Sequence, residues 1–199
     1  KEKIVLGLYH NKILKTNVTL SDGQVAPIYI DLRDVFSFPE LSDQITEAYR
    51  EIAQDLHYDH VCGAPLAGIP LATKLHEKVH APLLLLRDAP KGHGTKKLLE
   101  GRFDPQSKTL LVDDVLFSGS ALLKSIEKLQ EQGVVVEDAV VLIDKEAGGE
   151  QLLQARYPRL RIHSFMTLNE IKEILALHGL SGSGKDRARF NFPEIPLHE

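Results

Sequence analysis

One stretch constrains this chain more than any other: residues 109–121, Thr-Leu-Leu-Val-Asp-Asp-Val-Leu-Phe-Ser-Gly-Ser-Ala. An apolar run, Thr109 to Val112, reads as a buried strand, and continuous apolar strands belong to parallel sheets covered on both faces. It ends in two acids, Asp113 and Asp114, and a turn of small residues, Ser118-Gly119-Ser120, then opens a helix. In open parallel sheets, ligands bind beyond the carboxyl ends of the strands. A helix N-terminus at that place offers unpaired N–H groups and the positive end of a dipole. Ser118 and Ser120 add hydroxyl donors, and Gly119 lets the backbone come close to a phosphate oxygen. The acids cannot bind the phosphate themselves. They suit ribose hydroxyls, or positive charge on a sugar, so the stretch reads as a sugar-phosphate site. The plainer alternative is a strand ending in a solvated acidic turn with an ordinary helix start.

The rest of the chain alternates strands and helices. Strands are expected over 26–32, 60–63, 82–86, 134–143 and 160–164, and helices over 40–56, 69–79, 118–132 and 150–157. Thr167 and Glu170 form a capping box for a last helix ending at Gly179. Residues 87–97 are polar, contain glycine and have no period, which reads as a mobile loop. This βαβα order predicts an α/β fold, a parallel sheet flanked by helices. Residues 1–35 fall outside the alternation and are expected to form a small N-terminal segment. Residues 36–179 would form the core, and residues 180–199 a polar tail or linker.

Charge narrows the function. With 24 Lys+Arg against 28 Asp+Glu the formal net charge is −4. That argues against a general nucleic-acid binder, so any anionic ligand must be held locally. The single cysteine, Cys62, excludes a disulfide scaffold and a multi-cysteine zinc site and fits a reducing compartment. No apolar run approaches the roughly 18 residues that span a bilayer. The start, Lys1-Glu2-Lys3, has neither an initiator Met nor a signal-peptide core, as in a trimmed chain or one domain of a longer protein.

The strand, acid pair and small-residue loop resemble the ribose-phosphate motif of the type I phosphoribosyltransferases. Within that group the chain is similar to the orotate phosphoribosyltransferases, including the version fused to a decarboxylase in UMP synthase. Pro27 to Arg33 resembles the family's PxYIDLR segment, Gly63 to Thr73 its pyrophosphate loop, Lys91 to Gly101 its catalytic loop, and Ile143 to Gly149 its LDREQGG turn. Arg161 to Ser164 also has a counterpart, so the likeness covers about residues 15–178.

The resemblance implies a type I fold with a small N-terminal hood, in a cytoplasmic homodimer whose catalytic loop reaches the partner's site. It implies transfer of phosphoribose from phosphoribosyl pyrophosphate to orotate, with Mg²⁺ held mainly by the substrate, near Asp113, and no direct protein ligand assigned. Asp113, Asp114, Lys91 and His93 would be the catalytic residues. Arg87, Val115, Phe117, Ser118, Gly119, Ser120, Ala121, Leu66, Ala67, Lys145 and Tyr29 would bind substrates. Nucleic acid and membrane are not expected partners. Several positions depart from the family pattern: Ser21, Leu66, Ala67, Asp88, Phe117 and Lys145, the last standing where the family has arginine. They leave open a transferase for another base, or a non-catalytic binder of phosphoribosyl pyrophosphate.

Four further motifs read as incidental. His76-Glu77-Lys78-Val79-His80 spells a zinc-protease signature, but Pro82 follows closely and no third ligand is apparent. Residues 179–185 match GxxxxGK with Asp186 where Ser or Thr should stand, after a helix instead of a strand. Asn17-Val18-Thr19 is a glycosylation sequon without secretory context, and Cys62 reads as a buried structural thiol.

Overall fold

The computed structural model describes residues 1–19, 25–89 and 97–180. Its centre is a six-stranded sheet of order β5-β4-β3-β6-β7-β8. The strands are β3 (His60–Gly63), β4 (Leu83–Leu86), β5 (Leu99–Glu100), β6 (Lys108–Leu116), β7 (Val135–Asp144) and β8 (Arg161–Thr167). All neighbours pair in parallel except β5, which runs antiparallel to β4. Parallel neighbours need crossovers. These are α3 (Gly68–Val79) between β3 and β4, α4 (Ser120–Glu131) between β6 and β7, and α5 (Gly149–Arg156) between β7 and β8. From β3 the chain moves outward to β4 and β5, and from β6 it moves the other way. The strand order therefore reverses between β3 and β6, the place where a crevice opens in such sheets.

Strand periodicity divides the core into two layers. Val61, Leu110, Val112, Val140 and Leu142 pack under α2 (Pro39–Ala53), α3 and α6 (Leu168–Leu177). Cys62, Leu84, Leu111, Ala139 and Val141 face the other way, with Leu122, Ile126 and Leu129 of α4 and Leu153 of α5. The parallel sheet flanked by helices is thus the fold that the alternation predicts.

Three local readings change. β6 does not stop at Val112 but runs through both acids to Leu116, because Val115 and Leu116 pair with Ile143 and Asp144. The strand expected over 26–32 is β2 (Val25–Ile30), antiparallel to β1 (Leu14–Thr19), and a 3-10 helix, Leu32–Ser37, follows it. Helix α1 (Glu2–His10), absent from the periodicity reading, buries Ile4, Val5 and Leu8. These residues join the same apolar cluster as Leu41, Val61 and Met166. Lys1 Nζ meets Glu170 at 2.6 Å and His178 Nε2 meets Glu2 at 2.7 Å, so the start of α1 is tied to both ends of α6 by ion pairs or hydrogen bonds.

Candidate functional site

The carboxyl ends of β3, β6 and β7 converge on one edge, and the acids of β6 lie at its centre. Asp113 is 5% exposed, and its carboxylate accepts the Asp114 N–H at 2.9 Å. The Asp114 carboxylate accepts the Val115 N–H at 2.8 Å. Burial, then the Asp114 charge, pushes the Asp113 carboxyl well above its usual range. Burial, helped by the charge of Asp31, also raises Asp114. The Tyr49 hydroxyl, fully buried on α2, donates to the Asp113 carbonyl at 2.7 Å and ties that helix to the strand.

Beyond the acids, residues 117–119 turn into α4. Gly119 starts it at φ +78, a conformation few side chains adopt. The Ser118 and Ser120 hydroxyls are 3.1 Å apart at the helix entrance. The turn after β7 presses on this loop: a Cβ at Gly119 would come 2.8 Å from the Gly149 carbonyl oxygen, and one at Gly149 would come 2.4 Å from that of Phe117. Only glycine permits that approach, which leaves the first N–H groups of α4 to face the edge. Ala121 follows in the first turn, exposed.

The loop after β3 closes the opposite side. It carries Leu66, 71% exposed, and Ala67, after a cis peptide bond between Pro65 and Leu66. A Cβ on Gly68 would sit 2.3 Å from the Val112 carbonyl oxygen, so α3 starts against β6 one residue before the acid pair. Phe117 is 61% exposed, with the Lys145 ammonium 5.8 Å from its ring centre. Tyr29 lies on β2, and the Arg33 guanidinium, ion-paired with Asp31, is held charged first by that carboxylate and further by Asp114 nearby.

The candidates are thus not equally placed. Asp113, Asp114, Val115, Phe117 to Ala121 and Lys145 share the edge, with Leu66 and Ala67 on the loop beside it. Arg87 lies just past β4, 3.2 Å from Glu100. Lys91 and His93 fall outside the described residues. Sequence reasoning assigned no role to Tyr49, which sits at an apolar helical position like any core residue. Gly149 was placed only as the last residue of the LDREQGG-like turn, with no role of its own. A separate cavity of about 460 Å³, lined by His60, Lys97, Gly101, Arg102, Phe103 and Asp104, contains none of the candidate residues.

Two other motifs resolve locally. His80 ends α3 in the left-handed region, φ +53, which takes it off the helical register with His76. Lys78 between them pairs with Asp43 at 3.0 Å. Cys62 is fully buried, and burial pushes its thiol up to about 12. Most of the GxxxxGK stretch lies outside the described residues.

The chain is similar to known proteins. Residues 34–156 match the family described as phosphoribosyl transferase domain. The chain is 40% identical over 175 residues to the uridine 5'-monophosphate synthase of Bos taurus, covering 86% of this chain but 36% of that protein, so it spans about a third of that relative's length. It is 35% identical over 167 residues to the orotate phosphoribosyltransferase of Caenorhabditis elegans, covering 82% of this chain and 73% of that one. The crystal structure of orotate phosphoribosyltransferase from Aeropyrum pernix superimposes with a TM-score of 0.75 at 32% identity, over 87% of this chain and 98% of that one.

Proposed function

The chain belongs to the phosphoribosyl transferase family and, within it, to the orotate phosphoribosyltransferases, and from that premise we propose that it makes orotidine 5'-monophosphate and pyrophosphate from orotate and phosphoribosyl pyrophosphate, a step of de novo UMP synthesis. The observation that carries this reading is the acid pair, Asp113 buried and Asp114 half-buried, running directly into a glycine-started helix at the point where the strand order reverses.

In the proposed reaction the bond from ribose C1 to the pyrophosphate oxygen breaks. A ring nitrogen of the base forms the new bond to C1 and releases its proton. Positive charge grows on the sugar as the leaving group departs, and preorganised charges opposite it lower the barrier. Asp113 and Asp114 supply that negative charge and receive ribose hydroxyls. Their charge is disfavoured in the free protein, so a developing cation relieves it. The N–H groups and hydroxyls of Ser118 to Ala121 hold the 5'-phosphate without a basic surface. Leu66 and Ala67 flank the pyrophosphate, while Arg87, Lys91 and His93 would close over it and exclude water. Val115, Phe117, Lys145 and Tyr29 border the base.

The donor set suits Mg²⁺, which binds through one or two carboxylates together with substrate phosphate oxygens. Among the described residues no group of three or more His, Cys, Asp or Glu is placed to hold a metal. The ion would be held mainly by substrate oxygens near Asp113, and it would neutralise charge on the leaving pyrophosphate. We also propose a cytoplasmic homodimer, with residues 87–97 reaching the partner's site. The described residues contain no helix long and apolar enough to cross a membrane.

The test incubates the protein with phosphoribosyl pyrophosphate, Mg²⁺ and a panel of bases and follows pyrophosphate release. Release with orotate, lost in the Asp113→Asn, Asp114→Asn double variant that still folds, supports the reading. Release with another base only, or tight binding of phosphoribosyl pyrophosphate without turnover, overturns it.

A further inference from the structure

Cations at the carboxyl edge of the sheet are held in two different ways. Arg33 is ion-paired with Asp31, Arg87 with Glu100 and Lys128 with Asp88. Lys145 has no ion pair among the described residues, although acids stand on both sides of it. The Asp144 carboxylate accepts the Glu146 N–H at 2.8 Å, and the Glu146 carboxylate accepts the Asn169 N–H at 3.0 Å. Both acids are thus engaged by backbone donors. The Lys145 main chain is anchored by its own N–H, which donates to the Leu116 carbonyl at 2.8 Å. Its ammonium rests instead against the Phe117 ring, 5.8 Å from the centre, within the range where a ring face attracts a cation.

A carboxylate partner would neutralise this charge, whereas an aromatic face holds it and leaves it available. Phe117 is largely open to solvent, so burial in the core does not explain the residue at this position. It follows Leu116 directly, and Lys145 follows the strand residue paired with Leu116. We infer that Phe117 is a positioning residue: its ring holds the Lys145 ammonium at the mouth of the site, where the ammonium meets the carboxylate of an anionic planar base. This rests on the proposed transfer to orotate and adds the element that would select an acidic base over a neutral one.

The test compares Phe117→Leu, which keeps an apolar side chain but removes the ring, with Phe117→Trp, which offers a stronger face. Phe117→Leu is expected to raise KM for orotate about two- to five-fold, with a smaller change in KM for phosphoribosyl pyrophosphate, and Phe117→Trp to restore it. In a Lys145→Met background, Phe117→Leu should have little further effect, as a double-mutant cycle requires of a coupled pair. Equal changes in both KM values, or an undiminished effect in the Lys145→Met background, would overturn the inference. NMR gives a readout independent of turnover. The ring should shift the Lys145 side-chain methylene protons upfield, and Phe117→Leu should abolish that shift. Unshifted signals in the parent protein overturn the inference even where orotate turnover is intact. A ring-shifted Lys145 in a protein that turns over no orotate removes the functional reading instead.

Discussion

Asp113 shows how a single residue trades stability for readiness. Burial and the adjacent Asp114 raise its carboxyl, so the folded chain holds that proton more tightly than the unfolded chain does. The sign follows from linkage. Below the ordinary value of 3.8 both states are protonated, and the favourable contribution of the acid is complete. As pH rises from there toward and through the raised folded value, that contribution is lost, so the acid weakens the free protein at neutral pH relative to acid pH. Asp113→Asn keeps an oxygen to accept the Asp114 N–H and removes the charge. It is expected to raise the melting temperature at pH 7, with the difference from the parent shrinking as pH falls toward 4. Each kcal/mol of relief reads as about 2–4 °C in a domain of this size. The same variant should lose most turnover. A lower melting temperature at pH 7 would show that the acid is stabilised by contacts other than those described. Asp138 is the opposite case. Its burial would raise it, but hydrogen bonds from Arg161 at 2.8 Å and His163 at 2.7 Å prevail and hold it low. Its stabilising share should therefore persist at neutral pH and fade only below the ordinary carboxylate range.

At the scale of elements, the phosphate loop is shaped from outside itself. Gly149, at the start of α5, lets that turn lie against the Phe117 carbonyl. Gly149→Ala would place a methyl 2.4 Å from a backbone oxygen, which cannot move without displacing residues 117–119. The expected result is a rise in KM for phosphoribosyl pyrophosphate of about tenfold or more, the loss that a displaced charge-assisted contact of about 1.5–3 kcal/mol produces. Gly133→Ala is the control. That glycine also has a left-handed backbone, φ +82, but a Cβ there meets nothing within 4 Å. It should lower stability by about 1–2 kcal/mol through backbone strain and leave that KM unchanged. Equal effects of the two on KM would mean that the turn after β7 does not shape the loop.

Some elements were legible and others were not, for reasons visible in their residues. The capping box of α6 has both reciprocal hydrogen bonds, Glu170 N–H to the Thr167 hydroxyl at 3.2 Å and Thr167 N–H to the Glu170 carboxylate at 2.8 Å. A cap is a local device, and the sequence announces it. The extension of β6 through Asp113 and Asp114 was hidden, because aspartate is a poor strand former and only pairing with β7 carries the strand through. Helix α1 was hidden because its apolar residues gain their meaning from α2 and α6. Its Gly7 lies so near Leu41 that a Cβ would stand 2.8 Å from the leucine methyl.

The whole molecule joins its N-terminal segment and its sheet through one apolar cluster, from Ile4 and Leu8 to Val61 and Met166. It carries a net charge of −4 while being proposed to handle a heavily phosphorylated sugar. Backbone N–H groups at the start of α4 make the two compatible, because they bind an anion without adding formal charge. The proposed dimer yields a prediction at this scale. Inactive Lys91→Ala and inactive Asp113→Asn, Asp114→Asn chains, unfolded together and refolded, should regain activity, because each hybrid dimer would hold one site free of both lesions. No recovery in demonstrably mixed dimers would refute a loop shared between subunits. By itself the sequence determined the α/β class, the acid pair, the small-residue loop and the family resemblance, since each is written in neighbouring residues. The tertiary structure decided how those pieces meet. It carried β6 through the acids, buried Asp113 beneath Tyr49, pressed Gly149 against the phosphate loop and set Lys145 on Phe117. Those outcomes depend on contacts between residues distant in the chain, whose energies no local pattern contains.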